Sequence, residues 1–152
     1  MLPFLKRGVA VVACICVGCG QSPKVLSKLN VPNKLTLYAT DTDTDGRDVG
    51  NGRFHGFPIL GQMDIVDASQ RAEIMAAVNQ SIEEGKNMTG AKCFFPRHAI
   101  HTESDGQRKD YTICFECEQI MIDDENLTQA VSRSAEPVLN KYLKNAGIAL
   151  AK

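Results

Sequence analysis

Three cysteines and two histidines in the second half of the chain are the residues best suited to chemistry. Cys93, His98, Cys114 and Cys117 follow the spacing C-x4-H-x15-C-x2-C, and His101 lies nearby. Because thiolate and imidazole groups are the preferred ligands of zinc, this spacing resembles a zinc site. Cys114 and Cys117 alone form the CxxC pattern of redox proteins. The same residues also suit the plainer role of structural thiols or one disulfide.

These residues lie in two predicted strands, Lys92–Thr102 and Lys109–Ile122, which flank the turn signal Asp105-Gly106. A two-residue turn there places Ser104 opposite Gln107, so that the numbers of paired residues add to 211. The register decides which side chains share a face of the sheet, because the side chains of a strand alternate between its two faces.

In this register the four potential metal ligands are divided between the two faces. His98 and Cys117 fall on an almost wholly apolar face, which we expect to be the core side. Cys93 and Cys114 fall on the opposite, polar face. Four ligands split in this way cannot surround one metal ion, so a metal site ranks below structural thiols.

A register slip of one residue would place Cys93 opposite Cys117 and allow a disulfide between them, but it would turn Arg97 toward the core. A bulge at Pro96 could reconcile the two registers. Within one strand, Cys114 and Cys117 would lie about 10 Å apart at ~3.3 Å per residue, too far to bond without a sharp bend. We therefore predict Cys93–Cys117 as the disulfide, and rank redox catalysis third.

Nucleophilic catalysis by Cys93 and His98 is disfavoured, because five residues of regular strand place the two side chains on opposite faces. His98 is expected to be a buried, hydrogen-bonded core histidine, and Arg97 a surface partner of Glu116. The chain contains no GxSxG, HExxH or Walker pattern. No cofactor is predicted, and the sequence makes no positive case for an enzyme.

An acidic stretch resembles the opening half of a calcium loop. Asp41, Asp43 and Asp45 alternate before a glycine, so that their carboxylates could converge on a hard cation. However, the bidentate glutamate of an EF-hand is replaced by Gly52, and the ninth loop position is Val49. The pattern therefore predicts at most weak calcium binding in an acidic turn.

The remaining patterns place these residues in one α+β domain. Alternation and turn signals predict an antiparallel sheet of four to five strands with two helices on one face, in the order β-β-α-β-β-(β)-α. The further predicted elements are strands at Leu35–Thr40 and Phe54–Ile65, a helix capped at Asp67 with Gly85 as its C-cap, an edge strand at Leu127–Arg133, and a helix capped by Ser134 that ends before Gly147.

The first nineteen residues have the pattern of an export signal. Lys6 and Arg7 precede an uncharged, apolar or small stretch, Gly8–Gly18, which is the arrangement of a secretory signal. Val17-Gly18-Cys19 then resembles the lipobox of bacterial lipoproteins. Membership of that family implies that a diacylglyceryl group is attached to the sulfur of Cys19, that cleavage precedes it, and that the new amino terminus is acylated.

This resemblance sets the expected organisation: a signal peptide at 1–18, a lipidated tether at 19–33 and a single α+β domain at 34–152. It implies a membrane location through the lipid anchor, facing the periplasm or the exterior. Cys93-Phe94-x-Pro96-Arg97-His98 and Ile113-Cys114-Phe115-Glu116-Cys117 are also similar to a group of uncharacterised small bacterial proteins, several of them lipoproteins. That likeness implies no activity.

Composition limits the classes of function. The chain has 152 residues, 43% hydrophobic and 23% charged, which suits one ordered domain, and a net charge of −1 gives no basis for nucleic-acid binding. We predict a lipid-anchored cell-envelope protein with a binding or structural role. The alternative is a thiol-redox or metal-binding protein using Cys93, His98, Cys114 and Cys117.

Overall fold

A computed structural model describes residues 28–42 and 51–151, except for the side chain of Asp124. The described chain forms one antiparallel sheet of seven strands with two helices, in the strand order β2-β3-β1-β4-β5-β6-β7. The elements are β1 Lys34–Thr40, β2 Arg53–Phe54, β3 Phe57–Asp64, α1 Ala68–Gly85, β4 His98–Ser104, β5 Gln107–Cys114, β6 Gln119–Ile122, a 3-10 turn Asp123–Glu125, β7 Leu127–Ala130 and α2 Glu136–Asn145.

The α+β class and the antiparallel sheet are confirmed, but the predicted strand count is too low. The stretch Phe54–Ile65 holds two strands, because His55 and Gly56 form a two-residue turn with φ of +44° and +90°. The stretch Lys109–Ile122 also holds two strands, because the chain turns at Phe115–Glu118. Both reversals use left-handed backbone at a residue other than glycine, which the sequence does not signal.

The predicted register of β4 and β5 is confirmed. Ser104 pairs with Gln107 and His98 pairs with Ile113. However, β4 begins only at His98, so the preceding residues from the end of α1 onward form an irregular connection. Because Cys93 lies in that connection, the alternation of strand faces does not apply to it.

Both helices pack on one face of the sheet. Buried residues of α1, such as Ile74 and Val78, and of α2, such as Leu139 and Leu143, join the apolar side chains of the central strands in the main core. Asp67 caps α1 as predicted, accepting a hydrogen bond from the Gln70 amide at 2.9 Å.

The predicted roles of Gly85 and Ser134 are wrong. Gly85 is the last residue of α1, whose C-cap is Lys86, and a Cβ atom on Gly85 would lie 2.5 Å from the backbone oxygen of Ala130. Glycine therefore allows α1 to pass close to β7. Helix α2 is preceded by Ala135 without a side-chain cap, although Gly147, at φ +71°, follows its end as predicted.

The β2–β3 hairpin curls over the sheet face opposite the helices. The pairing of β1 with β3 shifts between Ala39 and Thr40, which marks a bulge that bends β3. Phe54 then lies over Tyr38, with ring centroids 4.7 Å apart, and forms a second, smaller core with Ile59 and Ala99.

The predicted tether reaches the folded domain before its expected end at residue 33. Leu29 is buried in the main core, and the Asn79 amide of α1 bonds both its backbone N–H, at 2.7 Å, and its carbonyl, at 2.8 Å. Arg71 donates to the carbonyl oxygen of Pro32. Residues 19–27 lie outside the described part of the chain.

No helix within residues 28–42 and 51–151 is both long enough and apolar enough to cross a membrane.

Candidate functional site

Three thiols converge at one end of the sheet. Cys93 comes from the connection between α1 and β4, Cys114 is the last residue of β5, and Cys117 lies in the turn that leads to β6. We call these three residues the thiol corner. Cys114 and Cys117 are buried and Cys93 is partly exposed.

The CxxC segment forms a tight turn and not a continuous strand. The amide of Glu118 donates to the carbonyl oxygen of Phe115 at 3.3 Å, and Glu118 has a left-handed φ of +55°. The amide of Cys117 thereby comes within 3.1 Å of the Cys114 sulfur. The prediction that Cys114 and Cys117 lie in one continuous strand is wrong, because the chain reverses direction at Glu118.

The thiol corner is held together by hydrogen bonds to sulfur. The amide of Phe95 donates to the Cys114 sulfur at 3.4 Å, and the thiols of Cys93 and Cys117 lie close enough to shift each other's pKa. Cys93 and Cys117 are therefore neighbours without the register slip that the sequence argument required. Both are free thiols in this structure, so the Cys93–Cys117 disulfide is not formed and stays a prediction.

Two of the thiols are stabilised in their protonated form. The neighbouring thiol of Cys117 raises the pKa of Cys93, and burial raises the pKa of Cys117, with the nearby Cys114 thiol adding to it. Because the thiolate is the nucleophile in disulfide exchange, a raised pKa slows the reaction at neutral pH. These two residues therefore have the character of structural cysteines.

His98 lies beside the thiol corner but takes no part in its hydrogen bonds. The buried imidazole points to the helix side, where its Nε2 atom lies 2.8 Å from Asn140 Oδ1 and its ring packs edge-on against Phe115. Burial lowers the pKa of His98. The expectation of a core histidine is confirmed, as is the surface pair of Arg97 and Glu116, whose Nη1 and Oε1 atoms are 2.8 Å apart.

The metal-binding alternative finds no support in this arrangement. Among the described residues, no group of three or more histidine, cysteine, aspartate or glutamate side chains is placed to hold a metal ion. His98 is directed to α2 and His101 to the opposite face of the sheet, so neither can complete a set of ligands with the thiols.

A second polar cluster crosses the sheet face opposite the helices. Asp110 of β5 lies at its centre: Oδ1 is 2.6 Å from Nδ1 of His101, and Oδ2 is 2.6 Å from Nε2 of His55 at the hairpin tip. Asp123 Oδ1 lies 3.7 Å from the other nitrogen of His55, and Glu103 Oε1 lies 3.5 Å from that of His101. We call these five side chains the histidine–carboxylate chain.

The histidine–carboxylate chain was not predicted from the sequence, although one of its contacts could have been. His101 and Asp110 are directly paired in the register that the Asp105-Gly106 turn predicts. His55 carried no such signal, because it reaches Asp110 only through the curled hairpin. The imidazoles and carboxylates bond to one another, so the cluster joins the hairpin to the sheet.

The remaining predicted site residues cannot be assembled into a site. Asp41 follows β1, where its amide donates to the carbonyl of Pro58 at 2.9 Å and its carboxylate accepts from the amide of Thr42 at 2.7 Å. Asp43, Asp45 and Cys19 lie outside the described residues. Weak calcium binding and lipidation therefore stay predictions.

Compared with protein-family models, with curated proteins and with solved structures, the chain gives no match.

Proposed function

We propose that this protein is a lipid-anchored module of the cell envelope that acts by binding and not by catalysis. The sequence supports the anchor through Lys6, Arg7 and the lipobox-like Val17-Gly18-Cys19. A single acyl chain binds membranes only marginally, whereas two or three chains on one residue give a stable attachment.

The observation that carries the non-catalytic role is the state of the thiol corner. Cys93 and Cys117 have raised pKa values, and in the described part of the chain no imidazole or carboxylate activates them. Cysteines in such surroundings are generally inert structural residues. The imidazoles and carboxylates of the histidine–carboxylate chain are engaged with one another on a different face.

Export would expose the thiol corner to an oxidising compartment, where neighbouring cysteines pair. In the exchange, the partly exposed Cys93 sulfur attacks an external disulfide and releases one external thiol. Cys117 then attacks the sulfur of Cys93 and releases the second. Two protein thiols become one disulfide, and the external disulfide becomes two thiols, so electrons and protons balance.

The anchor is tested by Cys19→Ser. This variant lacks the sulfur nucleophile for lipid attachment, so we expect it to leave the membrane fraction or to stay unprocessed. Mass spectrometry of the purified wild-type protein should show the lipid and loss of residues 1–18. Persistence of the Cys19→Ser protein in washed membranes, with normal shortening, would refute the anchor.

Thiol–disulfide catalysis is the second candidate, favoured by the proximity of the three thiols and by the partial exposure of Cys93. Alkylation rates separate the two functions. For a structural role, Cys93 should react more slowly than a free cysteine at neutral pH, and Cys117→Ala should increase its rate by removing the partner that raises its pKa. Faster alkylation than free cysteine would favour a redox enzyme.

A further inference from the structure

The folded domain has two distinct ends along its strands. At one end lie the start of β1, the end of β3 and the β4–β5 turn, and at the other lie the start of β4, the end of β5 and the thiol corner. Strands β4 and β5 connect the ends with seven and eight residues, which is about 20–25 Å at ~3.3 Å per residue.

The chain segment that leads back to Cys19 leaves from the end opposite the thiol corner. The amide of Asn33 donates to Ser104 Oγ at 3.0 Å, next to the β4–β5 turn. Lys28 and Leu29 line a shallow cleft together with Gln107 of the same turn. We call this end of the domain the anchor end.

Two exposed valines also lie at the anchor end. Val66 is 85% exposed and Val31 is 50% exposed, and they are two of the three large hydrophobic side chains that are exposed in the described residues. Arg71 brings them together, since its guanidinium donates to the carbonyl oxygens of both Pro32 and Val66. The third, Phe95, is 53% exposed and lies beside the thiol corner.

We propose that the anchor end rests on the lipid surface through Val31 and Val66, so that Phe95 and the thiol corner face the aqueous side. This inference rests on the proposed anchor at Cys19. Nine residue steps separate Cys19 from Lys28, and they reach at most about 30 Å when fully extended. The anchor end can contact lipid without such extension, whereas the thiol corner could do so only if this segment ran back along the whole domain.

Charged residues around the valines suit contact at the level of the headgroups. The exposed Lys28 lies on the same end and can approach anionic phosphates, and so does Lys34, whose side chain is 77% exposed and pairs with Glu103 at 2.9 Å. Asp67 follows Val66 directly and keeps its carboxylate in the N-cap of α1. Shallow contact buries the valines while leaving that carboxylate in water.

Single tryptophans can test this orientation, because the chain contains no tryptophan. The lipidated proteins with Val66→Trp and Phe95→Trp would be reconstituted into phosphatidylethanolamine–phosphatidylglycerol vesicles with and without brominated lipid. We expect brominated lipid to reduce V66W fluorescence at least about two-fold and to leave F95W fluorescence unchanged. Acrylamide, a quencher dissolved in the water phase, should instead quench F95W more than V66W.

Three other outcomes of the quenching experiment would contradict this orientation. Equal or stronger lipid quenching of F95W would place the thiol corner at the membrane. Absence of quenching in both variants, with the proteins still bound, would place the domain away from lipid. V66W shielded from acrylamide but not quenched by lipid would indicate a second copy or another protein at this end.

Co-sedimentation with vesicles tests the lipid anchor independently of the orientation. Lipidated wild-type protein should co-sediment and Cys19→Ser protein should not. If the wild-type protein does not co-sediment, the proposed anchor fails and the orientation fails with it. If it does co-sediment, the tryptophan measurements judge the orientation alone.

Discussion

The thiol corner and the histidine–carboxylate chain both collect polar residues from distant parts of the sequence, but they are built on different kinds of backbone. The histidine–carboxylate chain is centred on a cross-strand pair, His101 and Asp110, in a regular ladder. The thiol corner depends on an irregular connection and on a left-handed turn residue, Glu118. The first can be derived from strand register, whereas the second requires knowledge of where the strands stop.

The two regions also differ in exposure. His98 and Cys117, at the thiol end, are almost fully buried, whereas the side chains of His101 and Asp110 keep about a quarter of their surface in water. Burial removes competition from solvent, so a residue lost from the thiol end should cost more free energy of unfolding than one lost from the open face.

The largest expected effect follows from His98→Ala. It removes a buried ring that packs on Phe115 and leaves Asn140 Oδ1 without its partner, so we expect a loss of about 3–4 kcal/mol in the free energy of unfolding. Urea titration measures it. His101→Ala, at a partly exposed site, should cost about 1 kcal/mol; an equal or larger cost there would remove the difference between the regions.

Closing the Cys93–Cys117 disulfide should stabilise the domain by about 3 kcal/mol, because the bond closes a loop of about 25 residues in the unfolded chain. The comparison is between oxidised and reduced protein in a Cys114→Ala background, which leaves only one pair available in the domain. Peptide mapping of the oxidised wild-type protein checks the pairing. A Cys114–Cys117 bridge in that map, or no gain in stability, would contradict this prediction.

Asp110→Asn should cost about 2 kcal/mol, because it removes the charge to which both His55 and His101 bond. Asp105→Asn is the matched control. Asp105 is exposed and lies in the β4–β5 turn at φ +51°, a conformation that asparagine tolerates well. A similar loss of stability in both variants would show that the bridging position of Asp110 has no special value.

The smallest expected effect is a pH dependence carried by His98. Burial lowers the pKa of this imidazole below the ordinary value of about 6.5, so the unfolded chain binds the proton more readily. The contribution of His98 to the free energy of unfolding is therefore fully present above about pH 6.5. It is lost as the pH falls below that value, by at most ~1.4 kcal/mol per pH unit. His98→Phe should flatten this part of the profile between pH 7 and pH 5; an unchanged profile would assign it to other groups.

Sequence patterns predicted much of the sheet but less of the sites. The Asp105-Gly106 turn fixed the β4–β5 register, and the apolar face of α2 and the cap at Asp67 followed from simple spacing. The turns at His55 and Glu118 use positive φ at residues that rarely adopt it, so no residue type marked them. Those two turns bring His55 to Asp110 and Cys117 to Cys114.

The packing of Leu29 against the domain could not be predicted for a different reason. Leu29 stands between Pro23 and Pro32, in a segment whose prolines and polar residues favoured a linker, although half of residues 24–31 are apolar. Its burial depends on Asn79, fifty residues later, whose amide satisfies both backbone groups of Leu29 in the way that a neighbouring strand would. A contact of this range cannot be read from local composition.

The two hydrogen bonds between Asn79 and Leu29 also have a mechanical consequence. Any tension between a membrane and the domain would enter through Lys28 and meet the two Asn79 hydrogen bonds, and then the Arg71 bond to Pro32, before it reached β1. Strand β1 lies between β3 and β4, so a pull along it loads two hydrogen-bonded ladders in shear. The segment from Leu29 to Pro32 would therefore detach from α1 first, and the sheet would stay intact.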